Sequence, residues 1–171
     1  LRESEDLYRT LVQTSPDAVT AIDLDGKVTY ASQRTLELYG FEREEDLLGL
    51  DAMLLIAEQD RATARERILH TVREGAVHSA EYTLLKADGT SFAGELGAAL
   101  IRDASGKPKA LIASTRDITE RKRLEQQNEE RRLYLENVLT FAPDAIIALD
   151  PENRVLEWNQ GAVQMFGYSA E

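Results

Sequence analysis

Cysteine is absent from the 171 residues of this chain. Its absence excludes a disulfide framework, a thiolate nucleophile, a cysteine-ligated metal and a covalent bond between cysteine and a flavin. It also fits a reducing compartment, because disulfides form and persist in oxidising ones. Histidine is scarce too, and His70 and His78 are the obvious imidazole candidates for a metal site.

Long apolar runs and an excess of basic residues are also missing. No stretch approaches the roughly 18 apolar residues that a membrane span needs, and no signal peptide opens the chain. The net charge of −11 disfavours a nucleic-acid backbone as a partner. Leu1 in place of methionine indicates a piece of a longer protein. We therefore expect a cytoplasmic segment without membrane contact of its own, whose parent could be anchored elsewhere.

The clearest positive feature is a repeat. The sequence PDAVTAIDLDGKV at residues 16–28 returns as PDAIIALDPENRV at residues 143–155, and most of the differences conserve chemistry. With 43% hydrophobic and 30% charged residues the chain has the composition of a globular protein, and its length supports one full core rather than two. The second copy is therefore expected to be incomplete.

Each copy predicts a β-hairpin followed by a short helix. Asp25-Gly26 lies between two β-branched runs, which predicts a two-residue type I′ turn with positive φ at both positions. Glu152 and Asn153 replace it in the second copy, and Asn tolerates the left-handed region. Ser32 and Asn159 are the predicted N-caps of the two short helices.

The middle of the chain predicts short helical turns at 41–57, a helix at 60–74 and then three consecutive antiparallel strands. The strands turn at Asp88-Gly89 and Ser105-Gly106. A long helix follows at 118–139, with a heptad seam that is apolar at its ends and polar in its middle. Two interpretations stay open for it: pairing with a second chain, or a solvated spacer. The seam positions are Leu124, Asn128, Arg131, Leu135, Val138 and Ala142.

These segments resemble the PAS (Per-Arnt-Sim) sensory domain with its C-terminal PAC-type motif. The matching stretches are PDAVTAIDLDGKVTYAS, RTLELYGF, KADGTSF and GKPKALIASTRDITERK, which follow the family's order over residues 8–122. Residues 134–171 resemble the opening of a second such module. Tandem modules of this kind are typical of bacterial multi-PAS sensors, including histidine kinases and cyclic-dinucleotide enzymes.

The resemblance implies an α+β fold: a five-stranded antiparallel sheet in the order 2-1-5-4-3 with helices over one face around a cavity. It also implies four segments along the chain. These are an N-terminal flanking helix (1–13), a PAS domain (14–117), a signalling linker helix (118–142) and the truncated start of a second PAS domain (143–171). We expect the truncated copy to be held by a second chain or by the first module's sheet, because an isolated hairpin is marginally stable.

The resemblance also places candidate ligand contacts on the helix-covered face of the sheet. The strand GELGAAL at 94–100 is unusually small in side-chain volume, which favours a gap. The alternative is that the apolar candidates form only an ordinary core. They are Ile22, Leu36, Tyr39, Ile68, Phe92 and Leu96.

The junction between the last strand and the linker helix is the candidate relay. Asp117 or Thr119 can cap the helix, and Arg116 adjoins them. In this family signals pass from the cavity or the dimer interface to the flanking helices. The same cap would therefore couple strand movement to helix orientation, whereas the simpler interpretation is a cap alone.

The resemblance identifies no cofactor. His70 lies away from the apolar stripe of its helix, and the family's haem ligand precedes it, where this chain has DRATA, so we do not expect haem. The covalent flavin photocycle of the light-sensing relatives needs a cysteine and is excluded.

We therefore expect a sensory and signal-relay module that binds a small ligand and forms a homodimer through its flanking helices, with an output domain elsewhere in the parent. The alternative is a ligand-free dimerisation module. No catalytic constellation is present in the sequence, so this segment is not expected to be an enzyme.

Overall fold

The first copy of the repeat begins a five-stranded antiparallel sheet in the computed structural model, which describes residue 10 and residues 12–168, without the side chains of 76–78. The predicted order 2-1-5-4-3 is confirmed. Most of the predicted helix over 1–13, and the side chain of His78, lie outside the described residues. The strands are β1 (Ala18–Ile22), β2 (Val28–Ala31), β3 (Ala76–Leu85), β4 (Ser91–Arg102) and β5 (Pro108–Asp117).

Helices cover one face of this sheet. They are α1 (Gln33–Tyr39), the 3-10 turns Glu44–Asp46 and Ala52–Leu55, and α2 (Glu58–Glu74). Helix α2 starts two residues before the predicted position. In its first turn the Asp60 carboxylate accepts the Thr83 N–H at 2.7 Å. It ends at Gly75, whose φ of 95° lies in the left-handed region that glycine tolerates.

The core lies between the helices and the sheet. It is closed by buried residues from almost every element, because alternate strand positions and one stripe of each helix face inward. Its most deeply buried apolar members include Ala18, Val28, Tyr39, Leu47, Ala64, Leu84 and Leu111.

The hairpin turns differ from the type I′ prediction. Gly26 has a φ of 82°, but Asp25 does not have a positive φ. The Asp23 carboxylate accepts the N–H groups of Asp25 (3.0 Å) and Lys27 (2.8 Å), which lengthens the turn and leaves only its last position left-handed. The second copy repeats this geometry with Asp150 as acceptor and Asn153 at a φ of 64°.

Two compact units divide the chain, Leu1–Glu120 and Arg121–Glu171. The long helix α3 (Thr119–Phe141) begins at the end of the first. The second contains β6 (Ile147–Leu149), β7 (Val155–Trp158) and α4 (Gln160–Phe166), with β6 and β7 paired antiparallel. Several of its apolar side chains are exposed, among them Leu149, Val155, Leu156 and Met165.

Candidate functional site

An apolar cavity of about 70 Å³ lies between helix α2, the 3-10 turn at Ala52–Leu55 and the inner face of the sheet. It is much smaller than the roughly 300–1,000 Å³ of typical cofactor and drug pockets. Its wall is formed mainly by aliphatic side chains, with a few hydroxyl groups and one arginine. Its lining residues include Thr20, Ile22, Tyr39, Arg67, Ile68, Thr71, Tyr82, Leu96, Ala98, Leu111, Ala113 and Thr115.

Four of the six candidate ligand contacts line this cavity: Ile22, Tyr39, Ile68 and Leu96. Leu36 and Phe92 do not, and both are buried in the core. The Phe92 ring packs edge-to-face on Tyr39, with ring centroids 5.5 Å apart. Phe92 therefore supports the cavity wall from behind.

The small strand around GELGAAL contributes to the cavity at some positions only. Leu96 and Ala98 line it. Gly94 does not: the side chain of Leu84 occupies the space where a Cβ would stand. Gly94 thus leaves room for the Leu84 side chain of the neighbouring strand β3. On β4 the small residue that lines the cavity is Ala98, and its partner Ala113 on β5 lines it as well.

Four of the hydroxyl groups in the cavity wall, on Thr20, Tyr39, Thr71 and Thr115, have protein partners. The Tyr39 and Thr115 hydroxyls lie 3.3 Å apart, Thr20 lies 3.4 Å from the Thr35 hydroxyl, and Thr71 donates to the Arg67 carbonyl at 2.8 Å. Burial raises the pKa of Tyr39 to about 12, although the hydrogen bond with Thr115 acts in the opposite direction. Tyr39 is therefore a neutral phenol at physiological pH.

Sequence reasoning missed the polar part of this wall. It ranked apolar residues and overlooked Thr115, which is 2% exposed. The signal was present in β5, where Leu111, Ala113 and Thr115 alternate with outward-facing residues at the strand period. Arg67 gave no comparable signal, because an arginine on an amphipathic helix is ordinarily a solvated residue.

The predicted relay residues meet at the end of β5. The Asp117 carboxylate accepts the Thr119 N–H at 2.8 Å and so caps helix α3. The Thr119 side chain contacts β4 instead, since its hydroxyl accepts the Ala93 N–H at 3.2 Å. Ile118 between them is buried and donates its N–H to the Ala93 carbonyl at 2.9 Å. The first residues of α3 are thereby attached to both β4 and β5.

Arg116 has a different partner. Its Nε and Nη2 atoms each lie 2.9 Å from one oxygen of Asp17, which directly precedes β1. This fork-to-carboxylate pair raises the pKa of Arg116 and joins the end of β5 to the start of β1. Since the guanidinium is mostly exposed, the pair fixes position more than it adds stability.

Among the residues that the structure describes, no histidine lines the cavity to serve as a haem ligand. His70 Nε2 lies 3.1 Å from the Glu74 carboxylate, and its side chain is 57% exposed, outside the cavity. In the part of the chain that the structure describes, no group of three or more His, Asp and Glu side chains could hold a metal ion. None of the helices within that part is long and apolar enough to cross a membrane.

Comparison with known families identifies the chain. The model described as PAS fold matches residues 6–118, and a model described as PAS domain matches residues 133–171. The chain belongs to the PAS family.

Known proteins agree with this assignment. The chain is 29% identical over 109 residues to the sensor protein FixL of Bradyrhizobium diazoefficiens, a match that covers 61% of this chain and 22% of that sensor. A PAS domain from Colwellia psychrerythraea aligns with a TM-score of 0.63 at 20% identity, over 68% of this chain and 98% of its own.

An RNA-binding light-oxygen-voltage receptor aligns with a TM-score of 0.63 at 24% identity, over 75% of this chain and 37% of its own. Identities this low show a shared fold. The assignment to a PAS module related to bacterial sensor proteins rests on the family models and on the match to FixL.

Proposed function

We propose that this chain senses a small ligand in the cavity of its first module and passes the signal to helix α3. One observation carries the proposal: strand β5 bears both the cavity-lining Thr115 and, two residues later, the helix cap Asp117. Residues two apart on a strand lie on the same side, so a shift of one displaces the other.

The contacts form a short physical route. A ligand that fills the cavity presses on the Tyr39–Thr115 pair, which joins helix α1 to β5. Movement of β5 reaches α3 through the Asp117 cap and through Ile118, whose backbone is bonded to β4. Helix α3 then carries the change onward from its first turn, which is bonded to β4 and β5.

In its parent, this segment serves as an input module. We place the N-terminal flanking helix at 1–13, the sensory domain at 14–117, the linker at 118–142 and the start of a second module at 143–171. The output domain of the parent is a histidine kinase or a cyclic-dinucleotide enzyme, and this segment is cytoplasmic and does no chemistry itself. The similarity to the sensor protein FixL supports this placement.

Native mass spectrometry of the chain purified without denaturation tests ligand sensing. The wild-type chain should carry or take up a small molecule, and an Ala98→Trp variant, which fills the cavity, should not. The matched control Ala99→Trp changes the neighbouring residue of β4, which does not line the cavity. Equal binding by the wild type and Ala98→Trp would refute a ligand at this site.

A ligand-free dimerisation module is the second candidate, and one observation favours it. Leu124, Leu135 and Val138, which share the heptad seam of α3, are 46%, 50% and 43% exposed. Exposed apolar residues at these heptad positions match those that meet in the seam of a coiled coil. Sedimentation of Leu135→Glu against Leu133→Glu tests this, since Leu133 is similarly exposed but lies off the seam. A dimer lost only in Leu135→Glu supports it.

A further inference from the structure

Arg67 is the only cationic side chain lining the cavity among the residues that the structure describes. Tyr82 lines it as well and is 8% exposed. Within the described chain, neither the Arg67 guanidinium nor the Tyr82 hydroxyl has a hydrogen-bond partner, and it is the Arg67 carbonyl, not its side chain, that accepts from the Thr71 hydroxyl. The other residues of the cavity wall are apolar or carry hydroxyl groups that are paired within the protein.

These two groups line the same cavity, and Arg67 is exposed at its edge. Burial raises the pKa of Tyr82, and the positive charge of Arg67 opposes that rise. Asp60 acts in the other direction and more weakly. The Asp60 carboxylate is already engaged, since it accepts the Thr83 N–H at 2.7 Å. The rim of the cavity therefore offers a guanidinium and a phenol hydroxyl for an incoming polar group.

The interior of the cavity limits the size and polarity of the part of a ligand that can enter it. The hydroxyls of Thr20, Tyr39, Thr71 and Thr115 are all paired within the protein, so a polar head group gains nothing by entering deeply. The volume of about 70 Å³ is roughly half that of an apolar cavity that holds benzene. A short, unbranched hydrocarbon chain matches that space, and an aromatic ring does not.

We propose that the cavity binds a short aliphatic monocarboxylate of about butyrate size, with its chain against Ile68, Leu96 and Leu111 and its carboxylate on Arg67 and Tyr82. This inference rests on the proposed sensing function and names the ligand class. Arginine is suited to the role because its planar fork binds both oxygens of a carboxylate. A cation is repelled there, and a neutral alcohol gains only the apolar contacts.

Calorimetry with sodium butyrate, 1-butanol and butylammonium chloride at constant ionic strength tests the proposal on the whole chain. Butyrate should bind about tenfold more tightly than butanol, because a charge-assisted hydrogen bond is roughly twice as strong as a neutral one. Butylammonium should bind most weakly. Sodium hexanoate should bind more weakly than butyrate, since its chain exceeds the cavity.

Substitutions at Arg67 and Tyr82 test whether these side chains cause the preference for butyrate over butanol. Arg67→Gln should abolish the preference for butyrate over butanol, and Tyr82→Phe should reduce it while keeping the packing. Arg73→Gln is the matched control, since Arg73 is exposed on the same helix and does not line the cavity. Both arginines are exposed, so neither substitution removes a buried contact, and circular dichroism checks the fold of each variant.

The possible outcomes distinguish a failure of the carboxylate proposal from a failure of the proposed ligand sensing. If butyrate and butanol bind equally, or if Arg67→Gln keeps the preference, the carboxylate proposal is wrong while a cavity that takes neutral ligands stands. If none of the four compounds binds either the wild type or Arg73→Gln, the carboxylate proposal is also wrong. Native mass spectrometry of wild type against Ala98→Trp then decides separately whether the cavity binds anything.

Discussion

The Tyr39 hydroxyl lies 3.3 Å from the Thr115 hydroxyl, and this contact joins two residues that are 76 positions apart in the chain. Tyr39 is the last residue of helix α1, and Thr115 lies near the end of strand β5. Both residues line the cavity. Thr115 lies two residues before Asp117, which caps helix α3. The wall of the cavity therefore includes a contact between helix α1 and strand β5.

This pair predicts an alkaline limit to stability. Burial raises the pKa of Tyr39 to about 12 from an ordinary value near 10, so the folded state retains the phenol proton that the unfolded chain loses. The stabilisation is complete below pH 10 and is lost as the pH rises from 10 to 12, by roughly 3 kcal/mol in total.

Urea unfolding of the first unit, followed by circular dichroism between pH 8 and pH 11.5, measures this loss. Tyr39→Phe should show a smaller decrease than the wild type, because it has no proton to lose. Tyr30→Phe is the matched control, since Tyr30 is 40% exposed, and it should behave like the wild type. An identical pH dependence of stability for Tyr39→Phe and the wild type would show that the Tyr39 phenol is not the cause of the loss at alkaline pH.

The two copies of the repeat cap their short helices with different chemistry, which predicts a compensating pair of substitutions. Thr35 donates to the Val19 carbonyl at 2.8 Å beside the Ser32 cap. In the second copy Asn159 alone accepts the Ile146 and Ala162 N–H groups and donates to the Asp144 carbonyl.

Thr35→Ala should therefore destabilise the first unit by about 1–2 kcal/mol, because buried hydrogen bonds are lost. Ser32→Asn combined with Thr35→Ala should recover at least half of that loss by reproducing the arrangement of the second copy. The measurement is urea unfolding of the single and double variants. A double variant less stable than Thr35→Ala would show that the two caps are not interchangeable.

Two glycines of strand β4 should respond in opposite ways to alanine. A Cβ at Gly94 would collide with the Leu84 side chain, which is fully buried, so Gly94→Ala should cost about 1–3 kcal/mol. At Gly97 the nearest atom is Ser114 Oγ at 3.5 Å, an ordinary contact. Gly97→Ala should be neutral or stabilising, since glycine weakens a strand interior. Equal effects in thermal unfolding would contradict this packing.

The cap of the linker helix predicts a local effect. Asp117→Ala removes the acceptor of the Thr119 N–H and should destabilise the first turn of α3 by about 0.5–2 kcal/mol. Amide hydrogen exchange at residues 119–122 should accelerate by a corresponding factor of about 2–30. Asp117→Asn retains a capping oxygen and should exchange nearly as slowly as the wild type. Unchanged protection in Asp117→Ala would mean that the cap does not hold this turn.

The strand order and most element boundaries were predictable from the sequence. The order came from the resemblance, and the elements came from local signals: alternation in the strands, and Ser32, Asn159 and Gly75 at helix ends. The predicted type I′ turn was wrong because the Asp23 carboxylate accepts the N–H groups of Asp25 and Lys27. The residue preferences at the two central positions of a turn carry no information about these hydrogen bonds. Local chemistry thus predicts where elements lie better than how their turns close.

The candidate site was predictable only in part. The resemblance named Ile22 and Ile68, which line the cavity, and it also named Leu36 and Phe92, which pack in the core beside the cavity. Periodicity tells which face a side chain occupies and does not tell where packing leaves a gap. The partner of Arg116 was equally hidden, because Asp17 is 99 residues away in the chain.

The most direct test of the account is hydrogen exchange in the first turn of α3 when the cavity is filled by a side chain. Ala98→Leu places a larger group in the cavity, and Ala99→Leu enlarges its neighbour outside the cavity as the control. The account predicts altered protection at residues 118–122 in Ala98→Leu alone, with β2 amides unchanged as the reference for global stability. Identical protection of α3 in both variants and the wild type would contradict a relay from the cavity to the linker helix.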